Sequence, residues 1–541
     1  MSRAPEAELP GEELSHRQVL VVLSGLLLGM FLSSLDQTIV TTAMRTIADE
    51  LEGQTAQAWV TTAYLVTATI TVPLYGKLSD MYGRRPFYLF AIGVFVLGSV
   101  LCGTAQSVYE LAAWRAVQGV GAGGLMSLAF AIVGDLVPPR ERGRYSAYFM
   151  SVFATSSVLG PLVGGAFAGQ ESLLGIDGWR WVFLVNVPVG LLAMAVVARN
   201  LHLPPRRSEH RVDALGAVLL AAAVVPVLLL AERGREWGWG SALVVGLGLG
   251  SVVALVVFVL WERRMPEEAI LPLRMFRDSV FAMTTSTSLL VGAAMFGGFV
   301  VLPLYLQIVR GASPTSAGLQ LVPLMAGIIL TSGVVGRVMS RTGRYKVFPV
   351  MGTAVLLVAM LLFTRLEVDT PSWQVVASMV VLGAGLGLCM QTLVLAVQNA
   401  LPPRDMGVAT SSVTFFRSMG GTLGAAVSLA VLFGSLAPNI QARARAAGLP
   451  DDVVERFSSA SSLDDSTVID RLPEAVRTAV LQGFTDSVQT VFLVVAVLLV
   501  PAFVLTLLVR EVPLRTSSGL VAARADAATQ ARTTKTETAV L

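Results

Sequence analysis

The sequence predicts an all-α integral membrane protein with about fourteen spanning helices, and three observations carry that prediction. The first is composition. Of 541 residues, 54% are hydrophobic and only 14% are charged, with a mean hydropathy of +0.70. A soluble chain carries about 25% charged residues, and here the deficit extends along most of the length. The second is a succession of apolar runs of about 20 residues, each long enough to cross a bilayer. The third is a pair of short internal repeats spaced so as to divide the chain into two similar halves.

The runs fall near 18–43, 57–76, 86–105, 108–134, 145–168, 182–199, 213–231, 242–261, 280–306, 317–338, 347–364, 374–397, 405–435 and 486–509. Gly and Pro inside several of them are compatible with membrane helices. Residues 1–17 are polar and acidic, and the run that follows is too long for the core of a cleavable signal, so it reads as a retained first helix. Basic residues concentrate on alternate connections. Lys77, Arg84 and Arg85 follow the second run; Arg140, Arg142 and Arg144 the fourth; Arg199, Arg206, Arg207 and Arg211 the sixth; Arg263, Arg264, Arg274 and Arg277 the eighth; Arg337, Arg341, Arg344 and Lys346 the tenth. The positive-inside rule places these connections, and both termini, in the cytoplasm of a multi-pass plasma-membrane protein.

On the opposite side one connection is long. Residues 436–485 hold Asp451, Asp452, Glu455, Asp464, Asp465, Asp470 and Glu474, with Val453, Val454 and Phe457, then Val476, Val480 and Leu481, at helical spacing. This predicts an extracellular amphipathic helical hairpin that acts as a structural cap, with a binding module as the alternative. Residues 511–541 read as a disordered cytoplasmic tail. The repeats are Pro138-Pro139-Arg140-Glu141-Arg142-Gly143, which recurs 264 positions on as Pro402-Pro403-Arg404-Asp405-Met406-Gly407, and Gly76, Gly83 and Arg84, which recur 260 positions on as Gly336, Gly343 and Arg344. They predict two six-helix halves in pseudo-symmetric repeat, 18–200 and 280–510, with two extra helices and their linkers in 201–279 between them.

Several classes are excluded. A formal net charge of +3 gives no footprint for nucleic acid. Cys102 and Cys389 sit singly within apolar runs, so neither a disulfide framework nor a metal cluster is expected. There is no phosphate-binding loop, nucleophile elbow, metal-ligand pair or sizeable soluble domain, so no enzyme and no cofactor are expected.

Four motifs then carry a resemblance. Gly76-Lys77-Leu78-Ser79-Asp80-Met81-Tyr82-Gly83-Arg84-Arg85 lies between the second and third helices. Trp114-Arg115-Ala116-Val117-Gln118-Gly119-Val120-Gly121 lies in the fourth, Gly160-Pro161-Leu162-Val163-Gly164-Gly165 in the fifth, and Leu35-Asp36-Gln37-Thr38-Ile39-Val40 in the first. Over roughly 18–510 the chain resembles the major facilitator superfamily, in particular its fourteen-helix drug:proton antiporter branch. It departs from that pattern at Arg45, where the branch has Pro, at Ala147 and Ser156, where it has Gly, and at Ser340, where Asp80 would recur. The resemblance implies a monomeric, proton-coupled multidrug exporter of small lipophilic, often cationic, compounds, working by alternating access within the bilayer. A narrow-specificity exporter of one natural product or lipid, and a membrane sensor that transports nothing, are the alternatives.

Within that frame Asp36 is the candidate proton carrier. It lies in the outer third of the first helix, whereas Asp135, Glu232, Glu262, Asp405 and Asp486 fall at helix ends and His16, His202 and His210 lie outside the spans. Arg115 falls at a similar depth and is its candidate partner; a fixed ion pair is the alternative. The resemblance sets Asp80 at the start of the helix near Arg404, where a carboxylate suits the positive helix end and would hold the inner side shut. Gly76, Gly83, Arg84 and Arg85 complete that loop. Gly160, Pro161, Gly164 and Gly165 suit a tight seam between the halves, with ordinary helix packing as the alternative. Trp59, Tyr64, Gln118, Met295, Phe296, Tyr305, Gln307, Met325, Met390 and Gln391 are candidates for a substrate cavity. Arg417 is a charge within a span with no evident acidic partner.

Overall fold

The computed structural model describes residues 16–201, 212–265, 268–449, 472–515 and 521. Its helices are α1 His16–Glu50, α2 Gln57–Tyr82, α3 Arg84–Thr104, α4 Val108–Leu136, α5 Pro139–Ala168, α6 Gly178–Asn200, α7 Ala214–Trp237, α8 Ala242–Arg264, α9 Ser279–Val309, α10 Ser316–Thr342, α11 Val347–Phe363, α12 Ser372–Ala400, α13 Met406–Ala446 and α14 Glu474–Leu508. Twelve of the described helices are long and apolar enough to cross a membrane. The 26-residue α2 and the 17-residue α11 are packed among them. Local sequence explains many of the helix starts. Ser107 accepts from the Glu110 amide while Glu110 accepts from Gln106 N, a reciprocal cap for α4. Ser241 and Asp278 cap α8 and α9 in the simpler way.

Packing repeats with an offset of eight helices. Helix α1 packs on α4, α5 and α6, and α9 packs on α12, α13 and α14; α4 packs on α2 and α3, and α12 on α10 and α11; α3 meets α6, and α11 meets α14. The two sets meet along α2 with α13 and α5 with α10. Helices α7 and α8 pack on each other, and α7 leans on α2 and α13 beside the first of those seams. Helix α8 turns Leu249, Val252, Val253, Val256 and Leu260 outward. An apolar outer surface of that kind suits hydrocarbon and would be unfavourable in water.

Two expectations change at the chain's later segments. The apolar spacing at Val476, Val480 and Leu481 belongs to the first turns of α14, and α13 continues to Ala446. Arg443 pairs with Asp486 at 2.7 Å and Asn439 donates to Ser487 at 2.9 Å, so these two stems prolong the neighbouring helices and lie side by side. Residues 450–471, with Val453, Val454 and Phe457, lie outside the described residues. The expected tail also starts later. Asn399 donates to Val512 O and Pro513 O and accepts from Arg515 N, and Tyr345 accepts from Val512 N. One amide with both a donor and an acceptor thus fixes 512–515 against the end of α12, which a search for apolar periodicity does not detect.

Candidate functional site

Asp36 is fully enclosed, at 0% exposure. Its Oδ2 accepts from Arg115 Nη1 at 2.5 Å, and its Oδ1 accepts from Gln118 Nε2 and Asn186 Nδ2, each at 2.8 Å. Helices α1, α4 and α6 therefore all contribute to one carboxylate. Arg115, itself 1% exposed, also donates to Gln118 Oε1 at 2.6 Å and lies over the Tyr64 ring at 4.0 Å. Tyr64 OH meets Ser33 Oγ at 3.1 Å, and Ser99 Oγ accepts from Gln118 at 2.7 Å. Tyr64 and Gln118, candidates for a cavity wall by sequence, thus belong to this cage. Asn186 and Ser99 were not singled out; a lone Asn within the apolar run of α6 was the available signal. Three N–H donors from α4 and α6 thus converge on this one carboxylate.

At the basic end of the bundle the two repeats meet. Gly83, with φ 101, makes the tight turn from α2 into α3, and Gly343, with φ 70, ends α10. Asp80 Oδ1 accepts from Gly407 N at 3.0 Å and Oδ2 from Val408 N at 2.8 Å, capping α13. Arg84 holds Asp80 at 2.6 Å and Asp135 at 2.8 Å. Arg85 donates to Ala198 O in α6 at 2.5 Å. A Cβ on Gly76 would meet Ser411 and, at 2.9 Å, Gly407 O. At the related seam a Cβ on Gly143 would lie 2.6 Å from Gly336 Cα, and Arg140 donates to Ser340 O and Arg341 O. Arg142, read from sequence as a topogenic charge, is buried. It donates to Val137 O, Gly134 O and, in the opposite set of helices, Gln398 Oε1 at 2.7 Å. Removing the charge from Asp80 while keeping its shape, Asp80→Asn, is expected to weaken this closed end by about 0.3–1 kcal/mol, or up to about 2 kcal/mol because the cap is partly buried. That shifts a two-state ratio a few-fold. Spin-label distances across the basic end should broaden toward longer values, and an unchanged distribution would rule the cap out as a latch.

The α5 glycines act elsewhere than expected. A Cβ on Gly160 would strike Thr38 and one on Gly164 would lie 2.9 Å from Ile39 O, so both face α1. Gly165 has no atom within 4 Å of a built Cβ, and Pro161 lies within the helix. The stripe therefore seals α5 to α1, and the approach of α5 to α10 falls to Gly143 and Gly336. Trp59 packs on Trp237 and under Arg233, toward α7, and Tyr305 OH donates to Glu367 O at 2.9 Å. Phe296 lies against Gly421; Gln307 and Met325 are half-buried, and Met295 and Met390 are buried. Gln391 is 6% exposed with its Oε1 unbonded, and Arg417 is 6% exposed.

The family model described as the Major Facilitator Superfamily matches residues 26–425. Over 495 residues the chain is 39% identical to an uncharacterized MFS-type transporter of Mycobacterium tuberculosis (strain ATCC 25618 / H37Rv), covering 91% of this chain and 70% of that one. Over 513 residues it is 33% identical to multidrug resistance protein 3 of Bacillus subtilis (strain 168), covering 92% and 96%. Among solved structures it superposes on the proton:xylose symporter XylE bound to 6-bromo-6-deoxy-D-glucose with a TM-score of 0.59, covering 94% of this chain and 99% of that chain. At 16% identity that likeness is one of fold alone.

Proposed function

The chain belongs to the major facilitator superfamily, and from that premise we propose that it exports small lipophilic compounds in exchange for protons. It is a multi-pass membrane transporter and not an enzyme. The likeness to multidrug resistance protein 3 supports efflux of more than one compound. In this reading all fourteen helices span the plasma membrane, 18–200 and 280–510 are the rocking halves, and 201–279 supplies the extra pair. The basic end faces the cytoplasm.

The observation that carries the proposal is the Asp36 cage. The Asp36 carboxylate accepts from Arg115, Gln118 and Asn186, and loss of its charge would weaken all three contacts. Those donors sit on α4 and α6, so proton uptake and helix displacement become one event. That is what exchange by alternating access requires. A growth-inhibition panel of antibiotics and dyes in a pump-deficient host selects the substrate. Adding it to energised inside-out vesicles should then collapse the pH gradient in proportion to uptake. Uptake that proceeds with no proton movement would overturn antiport.

Orientation has its own test. Cys102 and Cys389 are buried, so Ala447→Cys at the end of α13 offers a single exposed thiol. It should react with an impermeant maleimide in intact cells at the same level as after permeabilisation. Labelling only after permeabilisation would invert the topology.

A further inference from the structure

Arg417 lies eleven residues into α13, about 17 Å from the helix start. Among the described residues it makes no hydrogen bond and no ion pair, although only 6% of it is exposed. A second unsatisfied group is Gln391 Oε1 on the neighbouring α12. Gln398 Nε2 donates to Thr410 Oγ1 at 2.8 Å, joining α12 to α13. Gln391 precedes Gln398 by seven residues and Arg417 follows Thr410 by seven, two helical turns in each case. The helices are antiparallel neighbours, so both steps lead the same way into the bundle, and both residues stay on the faces that made the hydrogen bond. The side chain of a helical residue leans toward its helix N-terminus, which brings the Arg417 guanidinium down toward the level of Gln391. Behind them, a Cβ on Gly292 would strike Arg417 O, so α9 fixes the α13 backbone at this point.

A guanidinium in a span is normally paired with an acid, a carbonyl or water. Here the helical spacing sets a positive charge and an unbonded amide carbonyl at one level on adjoining helices, with no acid paired to that charge among the described residues. We propose that Arg417, with the Gln391 amide beside it, docks an acidic group on the exported molecule. The cargo is then a lipophilic organic anion, a carboxylate or phenolate on an apolar body. This names the substrate class of the export reading and rests on it. The carboxylate accepts two N–H donors from Arg417, and the Gln391 amide turns its NH2 toward a free lone pair. The countercharge that no described residue supplies arrives with the cargo.

The test uses three probes of one shape and different charge: 2-naphthoate, 2-naphthamide and 2-naphthylmethylammonium. Binding is measured on the purified full chain in lipid nanodiscs at symmetric pH. The wild type should prefer the carboxylate by about tenfold, or ~1.4 kcal/mol. Arg417→Gln should erase that preference and leave the affinity for the amide unchanged, and Arg417→Lys should keep part of it. A second measurement needs no ligand. Replacing an unpaired buried charge by an apolar side chain of similar reach is neutral or stabilising, so Arg417→Met should unfold at the same or a higher temperature than wild type. Equal response of the wild type to the three probes would overturn the proposal. So would unfolding of Arg417→Met several degrees lower, which would make Arg417 a structural cation. No proton gradient is applied, so a failure here leaves antiport standing, and a failure of antiport leaves the charge preference standing.

Discussion

Asp36→Asn is expected to reduce proton-coupled export to the background of a host lacking the protein, while the chain still inserts in the membrane. Asparagine keeps the shape of the side chain and can still meet Arg115, but it has no proton to exchange. The substitution also leaves the Arg115 guanidinium, 1% exposed, without its countercharge. Breaking a buried pair from one side costs about 3–5 kcal/mol, so the variant should unfold at a lower temperature than wild type. The double variant Asp36→Asn with Arg115→Gln removes both charges and should recover most of that loss without recovering export. Stability and coupling therefore separate in one set of measurements. Retained substrate-driven proton movement in vesicles carrying Asp36→Asn would refute the carrier role. Recovery of export in the double variant would show that the single change acted only through folding.

Gly336→Val is expected to hold the basic end open and to lower export by at least tenfold. Even a single Cβ at this position would strike Gly143 O and stand 3.1 Å from Gly143 Cα. Both neighbours are backbone, so α5 and α10 must separate for the side chain to fit. Overpacking of this kind costs about 1–3 kcal/mol. Charged against one of two states, that is about a 5- to 150-fold shift in their ratio. Spin labels at Arg144 and Thr342, both exposed at this end, should report a longer distance. Gly165→Ala is the matched control, since nothing lies within 4 Å of its built Cβ, and it should export as wild type does. If Gly336→Val closes normally by spin-label distance, the α5–α10 contact is not part of the gate.

Some features were legible in the linear chain because their physics is local or compositional. Each apolar run declares its own need for hydrocarbon, so the helices of the structure fall close to the runs read from sequence. The paired repeats were legible because a duplicated loop keeps its residue order. They proved informative about space as well, since Gly76 approaches Gly407 and Gly143 approaches Gly336. Asp36 stood out because an acid well inside a span is rare, and Arg115 because its depth follows from counting residues along a neighbouring helix.

Approximate level along the bundle was thus readable from the linear chain. Rotation about the helix axis, and the identity of the helix on the other side of a contact, emerged only on packing. Apolar residues surround a buried membrane helix on all sides, so no hydrophobic stripe marks which face meets which neighbour. Asn186 and Gln118 could be placed at the right level from the chain, but not turned toward Asp36. Gly160 and Gly164 could be recognised as a contact stripe, but not assigned to α1. Trp59 could be placed near the outer end of α2, but not turned toward Trp237 of α7. Depth is a one-dimensional property set by each segment's transfer into lipid. Facing is set by many weak contacts between segments far apart in the chain, and it exists only once the helices have packed.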